Sequence, residues 1–138
     1  MTIKDLADVS STIFDVVVYY AHKQLGYDEK KVRQFKGYVL LNPESGCSCI
    51  NGYVLYKNRK NGIYIDWIFA LGGNGMKLMK FVEKHHKIIT LKLSIDPGEK
   101  KSVVMRRINF YIKLNYRVVD IKFREKHGPL LTMMKSIK

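Results

Sequence analysis

The chain has 138 residues, 46% of them hydrophobic, and a formal net charge of +13 from 25 Lys+Arg against 12 Asp+Glu. That length allows one domain with a real core and leaves too little chain for two, and the composition excludes a disordered polymer. The charge favours an anionic partner (a nucleic acid, an anionic membrane surface or a phosphorylated small molecule), although a lysine-rich solubilising surface gives the same number with no partner at all.

Lysine outnumbers arginine 19 to 6, which weakens sequence-specific DNA reading, because base edges are read by arginine forks. The apolar stretch at residues 13–21 is broken by Asp15 and falls well short of the ~20 residues of a membrane helix. Asp5 and Asp8 precede it, unlike the basic start of a signal peptide. The expectation is a soluble, cytoplasmic protein with no membrane association.

In chain order, residues 11–25 begin with hydroxyls and carry Asp15 in the first turn, which predicts a capped helix, although the VVVYY run within it also suits a strand. Residues 28–35, DEKKVRQF, predict a short second helix, acidic in front and basic behind. The period then changes to two. KGYVLL (36–41), CSCINGYVLYK (47–57) and IYIDWIFAL (63–71) are separated by the turns NPESG and NRKNG and predict an antiparallel meander. Within it, Cys47 and Cys49 read as small buried hydrophobes. They are awkwardly spaced for a disulfide, and a metal would want two more ligands, which the adjacent His85 and His86 do not supply from one helix face. No metal is expected. In the third strand Ile63, Ile65, Trp67 and Phe69 alternate with Tyr64, Asp66, Ile68 and Ala70. Both faces are largely apolar, so the strand is expected to be central and covered on both sides. Asp66 is then conspicuous, since a carboxylate in a buried strand is costly unless paired or used.

Gly72, Gly73 and Gly75 follow immediately, and a helix is predicted from Met76, with Leu78, Phe81, Val82 and His85 on one face and Lys77, Lys80, Lys84 and Lys87 on the other. KIITLKLSI (87–95) is the next strand, and DPG breaks it. Val104, Ile108 and Tyr111 define a second amphipathic helix ending near Asn115, a candidate left-handed cap. YRVVDIKF (116–123) and PLLTMMKS (129–136) predict a final strand pair around REKHG. The order α(α)βββαβαββ places the chain in the α/β (α+β) class, with a mixed, mostly antiparallel sheet and helices on both faces.

The glycines have two physical readings. They are a turn, or they are a cradle where a phosphate approaches the backbone at the positive end of a helix. The stretch lacks GxxxxGK[ST], so it is not a nucleotide P-loop, and Leu78 stands where a dinucleotide fingerprint wants its third glycine. A short run of backbone N–H groups ahead of a helix suits a diphosphate.

From the strand–glycine–helix junction, the strand NGYVLY before it, and FYIKLNY (110–116) beyond it, residues 36–138 resemble the GNAT superfamily of N-acetyltransferases. In that family a central strand ends in a pyrophosphate loop, Q/R-x-x-G-x-G/A. Gly73 and Gly75 match its small positions, while Ala70 stands where Arg or Gln is usual. The resemblance implies acetyl-CoA as co-substrate, held by the backbone of Ile68, Phe69 and Ala70 and by Gly72, Gly73, Asn74, Gly75, Met76 and Lys77. Lys77, Arg106 or Arg107 would meet its ribose phosphate. It also implies Tyr111 as the group facing the departing thiolate and Asp66 as the base that takes the amine proton through water. The acceptor is an unidentified primary amine, and the family allows a homodimer.

Two other readings accompany this one. A basic chain with nine tyrosines suits a nucleic-acid-binding module. Tyr53, Tyr56 and Trp67, however, lie on strands expected to be covered by helices, which opposes an open stacking platform. A GNAT fold that binds coenzyme A without catalysis is the other alternative, motivated by Ala70.

Overall fold

A computed structural model describes residues 2–42 and 50–137. Cys47, Cys49, most of the NPESG turn and the start of the strand expected over 47–57 lie outside the described residues. The chain opens with a strand that the sequence reading lacks: β1 (Thr2–Asp5) pairs antiparallel with β2 (Lys36–Leu41), Thr2 opposite Leu41. A 3-10 turn, Leu6–Asp8, leads to α1 (Ser11–Leu25), whose bounds are the predicted ones. The Ser10 hydroxyl accepts from the Ile13 N–H at 3.2 Å, and Gly26 closes the helix at φ 73°. The second helix is shorter than predicted: α2 is Glu29–Val32, capped by Asp28, which accepts from the Lys31 N–H at 2.8 Å.

β2, β3 (Ile50–Arg59) and β4 (Gly62–Ala70) form the meander. α3 (Asn74–His85) starts two residues before the predicted Met76. β5 (Ile88–Ser94), α4 (Lys101–Lys113), β6 (Arg117–Lys122) and β7 (Leu130–Ser136) complete the order. Asn115 takes φ 70°, and the Tyr116 N–H reaches back to the Tyr111 carbonyl, so the predicted left-handed cap is present. The sheet order is β1-β2-β3-β4-β5-β7-β6, and only β4 and β5 run parallel.

Helices cover both faces, which gives two cores. On one side α1 and α2 bury Val17, Ala21 and Val32 against Val39, Tyr53 and Leu55. On the other, α3 and α4 bury Leu78, Val82 and Tyr111 against Val54, Ile65 and Ile89. Tyr53 and Tyr56 are buried in these cores, and Trp67 is half-buried with its indole N–H on the Gln24 side chain at 3.0 Å. These three aromatics form no open stacking surface.

β4 departs from the expected alternation. Leu55 faces Trp67 and the next residue, Tyr56, faces Ile65, so Asp66 is the extra residue of a β-bulge. The bulge reverses which face each later side chain takes. Ile63, Ile65 and Ile68 pack toward α3 and α4, while Trp67 and Phe69 pack toward α1. The predicted single face of Ile63, Ile65, Trp67 and Phe69 is therefore wrong. So is full cover, since the strand is half-buried from Asp66 onward.

Candidate active site

The bulge coincides with a parting of strands. β4 pairs with β3 along its length but with β5 only from Ile63–Ile65 against Ile89–Leu91. Beyond Ile65, the β5 side of the β4 backbone has no strand partner among the described residues. A cleft of about 420 Å³ occupies the gap, and its walls include Asp66 and Ile68 from β4, Lys92 and Ser94 from β5, and Arg107 and Tyr111 from α4.

The glycine loop lies at the end of the free half of β4. Leu71 N–H bonds to the Asn51 carbonyl at 2.8 Å, which anchors the loop to β3. Gly72 and Gly73 then take φ 51° and 79°, a left-handed pair that other residues resist, and a Cβ on either would meet nothing within 4 Å. Open space beside strained backbone suits a close-approaching ligand. Gly75 has a different reason: a Cβ there would lie 3.4 Å from the Phe110 ring, so glycine lets α3 pack closely on α4. The N-terminus of α3 has no side-chain cap. Its first-turn N–H groups, apart from that of Asn74, which bonds to the Leu71 carbonyl, thus face outward with the positive end of the helix dipole.

The predicted binding residues are brought together in this loop, with two qualifications. The Phe69 ring is turned away from the cleft, stacking on Tyr20 at 5.4 Å on the far face. Lys77 is exposed and lines a groove with Gly73 and Met76. Arg106 and Lys113 line a separate hollow with Met76 and Phe110, between α3 and α4. Arg107 is already committed: its Nη2 donates to the Ser94 carbonyl at 2.8 Å and to Glu99 at 3.0 Å, and it holds the Glu99 carboxyl below its usual range.

Tyr111 and Asp66 approach the cleft from opposite sides of the sheet. Tyr111 is buried on α4, its ring edge-on to Phe110 and Tyr116, and burial pushes its pKa up to about 12. Among the described residues no hydrogen bond is made by its hydroxyl, and Tyr111 lines the cleft. Asp66 accepts from the Tyr27 hydroxyl at 2.8 Å. This partner resolves the carboxylate that the sequence left unexplained. Burial, and then that bond, push Tyr27 up to about 12. Tyr27 sits between α1 and α2, 39 residues from Asp66, a contact that no local pattern reveals. Among the described residues no group of three or more His, Cys, Asp or Glu is placed to hold a metal. His86 is engaged by the Tyr38 hydroxyl at 2.8 Å, and burial lowers its pKa. Among the described residues no helix is long and apolar enough to cross a membrane.

No protein-family model matches the chain. One curated relative, the ribosomal RNA small subunit methyltransferase H of Karelsulcia muelleri, is 34% identical over 65 residues, 47% of this chain. The chain spans about a fifth of that protein's length (21%), and a stretch so short transfers no activity. Solved structures match over the whole chain. The aminoglycoside 6'-N-acetyltransferase of Enterococcus faecium superposes with a TM-score of 0.77 at 12% identity, covering 100% of this chain and 98% of its own. The ribosomal-protein-S18-alanine N-acetyltransferase of Escherichia coli gives 0.73 at 12%, covering 99% and 94%. Salmonella typhimurium yncA, solved with its cofactor acetyl-CoA, gives 0.64 at 14%, covering 100% and 94%. The chain shares the fold of these N-acetyltransferases over nearly its whole length.

Proposed function

We propose that this protein, as a single domain over residues 1–138, transfers the acetyl group of acetyl-CoA to a primary amine. The observation that carries this reading is the parting of β4 from β5 immediately before an uncapped helix N-terminus. That reading places the protein in the cytoplasm with its coenzyme.

When bound, acetyl-CoA supplies an acetyl group activated as a thioester. The backbone N–H groups of Gly72, Gly73, Gly75, Met76 and Lys77 cradle its pyrophosphate, with the Lys77 ammonium adding charge and the Asn74 N–H holding the loop through the Leu71 carbonyl. The backbone of Ile68 and Ala70 that faces the missing β5 edge, flanking the β3-paired Phe69, aligns the acyl chain and donates to the thioester carbonyl oxygen, where negative charge grows. The amine nitrogen bonds to the acyl carbon, the carbon–sulfur bond breaks, and Asp66 takes the amine proton through water. A direct transfer is poorly matched, since ordinary Asp and amine pKa values differ by about 6.

Tyr111 points its free hydroxyl at the departing sulfur. With its pKa pushed up to about 12, it stays protonated throughout the neutral range. Giving that proton fully to a thiolate of pKa about 8.5 would be uphill by about 5 kcal/mol. Tyr111 therefore stabilises the thiolate as a hydrogen-bond donor, and the sulfur takes its proton from water.

The test is release of free thiol from acetyl-CoA in the presence of an amine panel, read together with intact mass of the acetylated product. Thiol release that depends on the amine supports the reading. Coenzyme A binding without transfer to any amine would reduce the protein to a coenzyme-binding fold. Absence of coenzyme binding would remove the reading altogether.

A further inference from the structure

The wall through which an acceptor reaches Asp66, opposite α3 and α4, is basic and aromatic. Tyr64 on β4 has the Arg59 guanidinium at 5.2 Å and the Lys92 ammonium at 5.9 Å from its ring centre. Lys57 lies directly across the ladder from Tyr64. Lys57 and Lys31 both sit over the Phe35 ring, at 4.8 and 5.6 Å, and Tyr27, the donor to Asp66, stacks on the same ring at 5.8 Å. The Tyr27–Phe35 stack adjoins Asp66 through the Tyr27 hydroxyl, Tyr64 precedes Asp66 by two residues on β4, and Lys92 lines the cleft with it.

The ion pairs of the described residues join Arg33 to Glu29, Arg107 to Glu99 and Lys135 to Glu83. Lys31, Lys57, Arg59 and Lys92 take part in none of them. Of the acids near this wall, Glu99 is paired with Arg107, while Asp28, Asp66 and Asp96 are held by hydrogen bonds from neutral groups, which cancel no charge. The four cations, which join no ion pair among the described residues, outnumber those three acids. Arg59 and Lys92 both lie within 6 Å of the Tyr64 ring centre, so cations from the two strands beside β4 flank one aromatic.

Resting on the acetyl-transfer reading, we propose that the acceptor is an amine flanked by negatively charged groups. The amine meets Asp66, and neighbouring carboxylates or phosphates meet Lys92, Arg59 and Lys57. Polyamines and lysine-rich tails are disfavoured, because their other charges would face these cations.

The test uses calorimetry on the protein loaded with coenzyme A, so that binding is read without chemistry. The probes are the peptide Ala-Glu-Asp-Glu-Gly with a free amino terminus, glucosamine 6-phosphate, Ala-Lys-Lys-Lys-Gly and spermidine. The expected result is at least tenfold tighter binding of an acidic probe than of either cationic one. Preference for the peptide or for the sugar phosphate tells carboxylate from phosphate. Arg59→Gln with Lys92→Gln should erase the preference while coenzyme affinity stays unchanged, and Lys122→Gln on the distant edge strand should leave both intact. Equal or tighter binding of the cationic probes overturns the inference, and so does a preference that survives the double substitution. Failure of coenzyme A itself to bind would instead sink the acetyl-transfer reading, and it is seen in the loading step.

Discussion

The two halves of β4 behave as different materials. From Gly62 to Ile65 the strand is paired on both edges, and Ile63 and Ile65 are buried. From Asp66 to Ala70 it keeps β3, loses β5 and is half-buried. The first half has its hydrogen bonds and apolar surface satisfied within the fold, so it contributes stability. The second half leaves backbone groups, a carboxylate and a facing tyrosine hydroxyl with capacity to spare, so it contributes chemistry. One inserted residue at the bulge separates the two.

Substitutions on either side of that boundary should separate binding and rate from stability. The largest effect is expected at the loop that the free half runs into. Gly73→Glu brings a carboxylate to the open side of the loop proposed to hold the pyrophosphate, where a Cβ meets nothing within 4 Å, and like charges in contact cost several kcal/mol, so coenzyme affinity should fall by about 10³-fold. Calorimetry on a variant that still melts cooperatively checks this. Normal affinity would place the cradle elsewhere. In the paired half the opposite is expected. Ile89→Ala, opposite Ile63 and fully buried, should cost about 3 kcal/mol in denaturant unfolding and leave coenzyme affinity per folded molecule unchanged.

Tyr111→Phe sharpens the boundary further. It removes an oxygen without a partner and keeps the ring, so kcat should fall by about 10²-fold with little change in melting or coenzyme affinity. A variant with full kcat would take Tyr111 out of the mechanism. Alkaline titration gives a second reading of the same group. Its folded pKa lies above the ordinary 10, so the stability it contributes is complete below pH 10 and is lost as pH rises toward about 12. The Phe variant should lose less stability over that window than the wild type. The smallest effect is expected at Gly73→Ala. Nothing lies within 4 Å of the new methyl, so only the left-handed backbone resists, at about 1 kcal/mol.

The sequence was most legible where local chemistry acts alone. Hydroxyls mark the start of α1, Asn115 ends α4, and the glycines mark the start of α3 to within two residues. It was least legible where pairing at a distance decides. Thr2–Asp5 has no strand pattern and becomes β1 because β2 offers an edge. The Asp66 bulge is hidden because isoleucine, tryptophan and phenylalanine suit either face, so an unbroken apolar pattern disguises a reversal. The site followed the same division. The loop and Tyr111 were readable from spacing and resemblance. The Tyr27 bond to Asp66, the commitment of Arg107 to Ser94 and Glu99, and the cations around Tyr64 arise only when separate segments meet.

Amide hydrogen exchange with and without coenzyme A tests the central claim most directly, because it reads both halves of β4 in one experiment. Saturating coenzyme should slow exchange across residues 68–77, the free half and the loop, and leave residues 63–65 unchanged, since those amides are already paired. Protection confined to other segments, or no protection at coenzyme concentrations that saturate binding, would contradict the assignment of this strand end and loop as the coenzyme site.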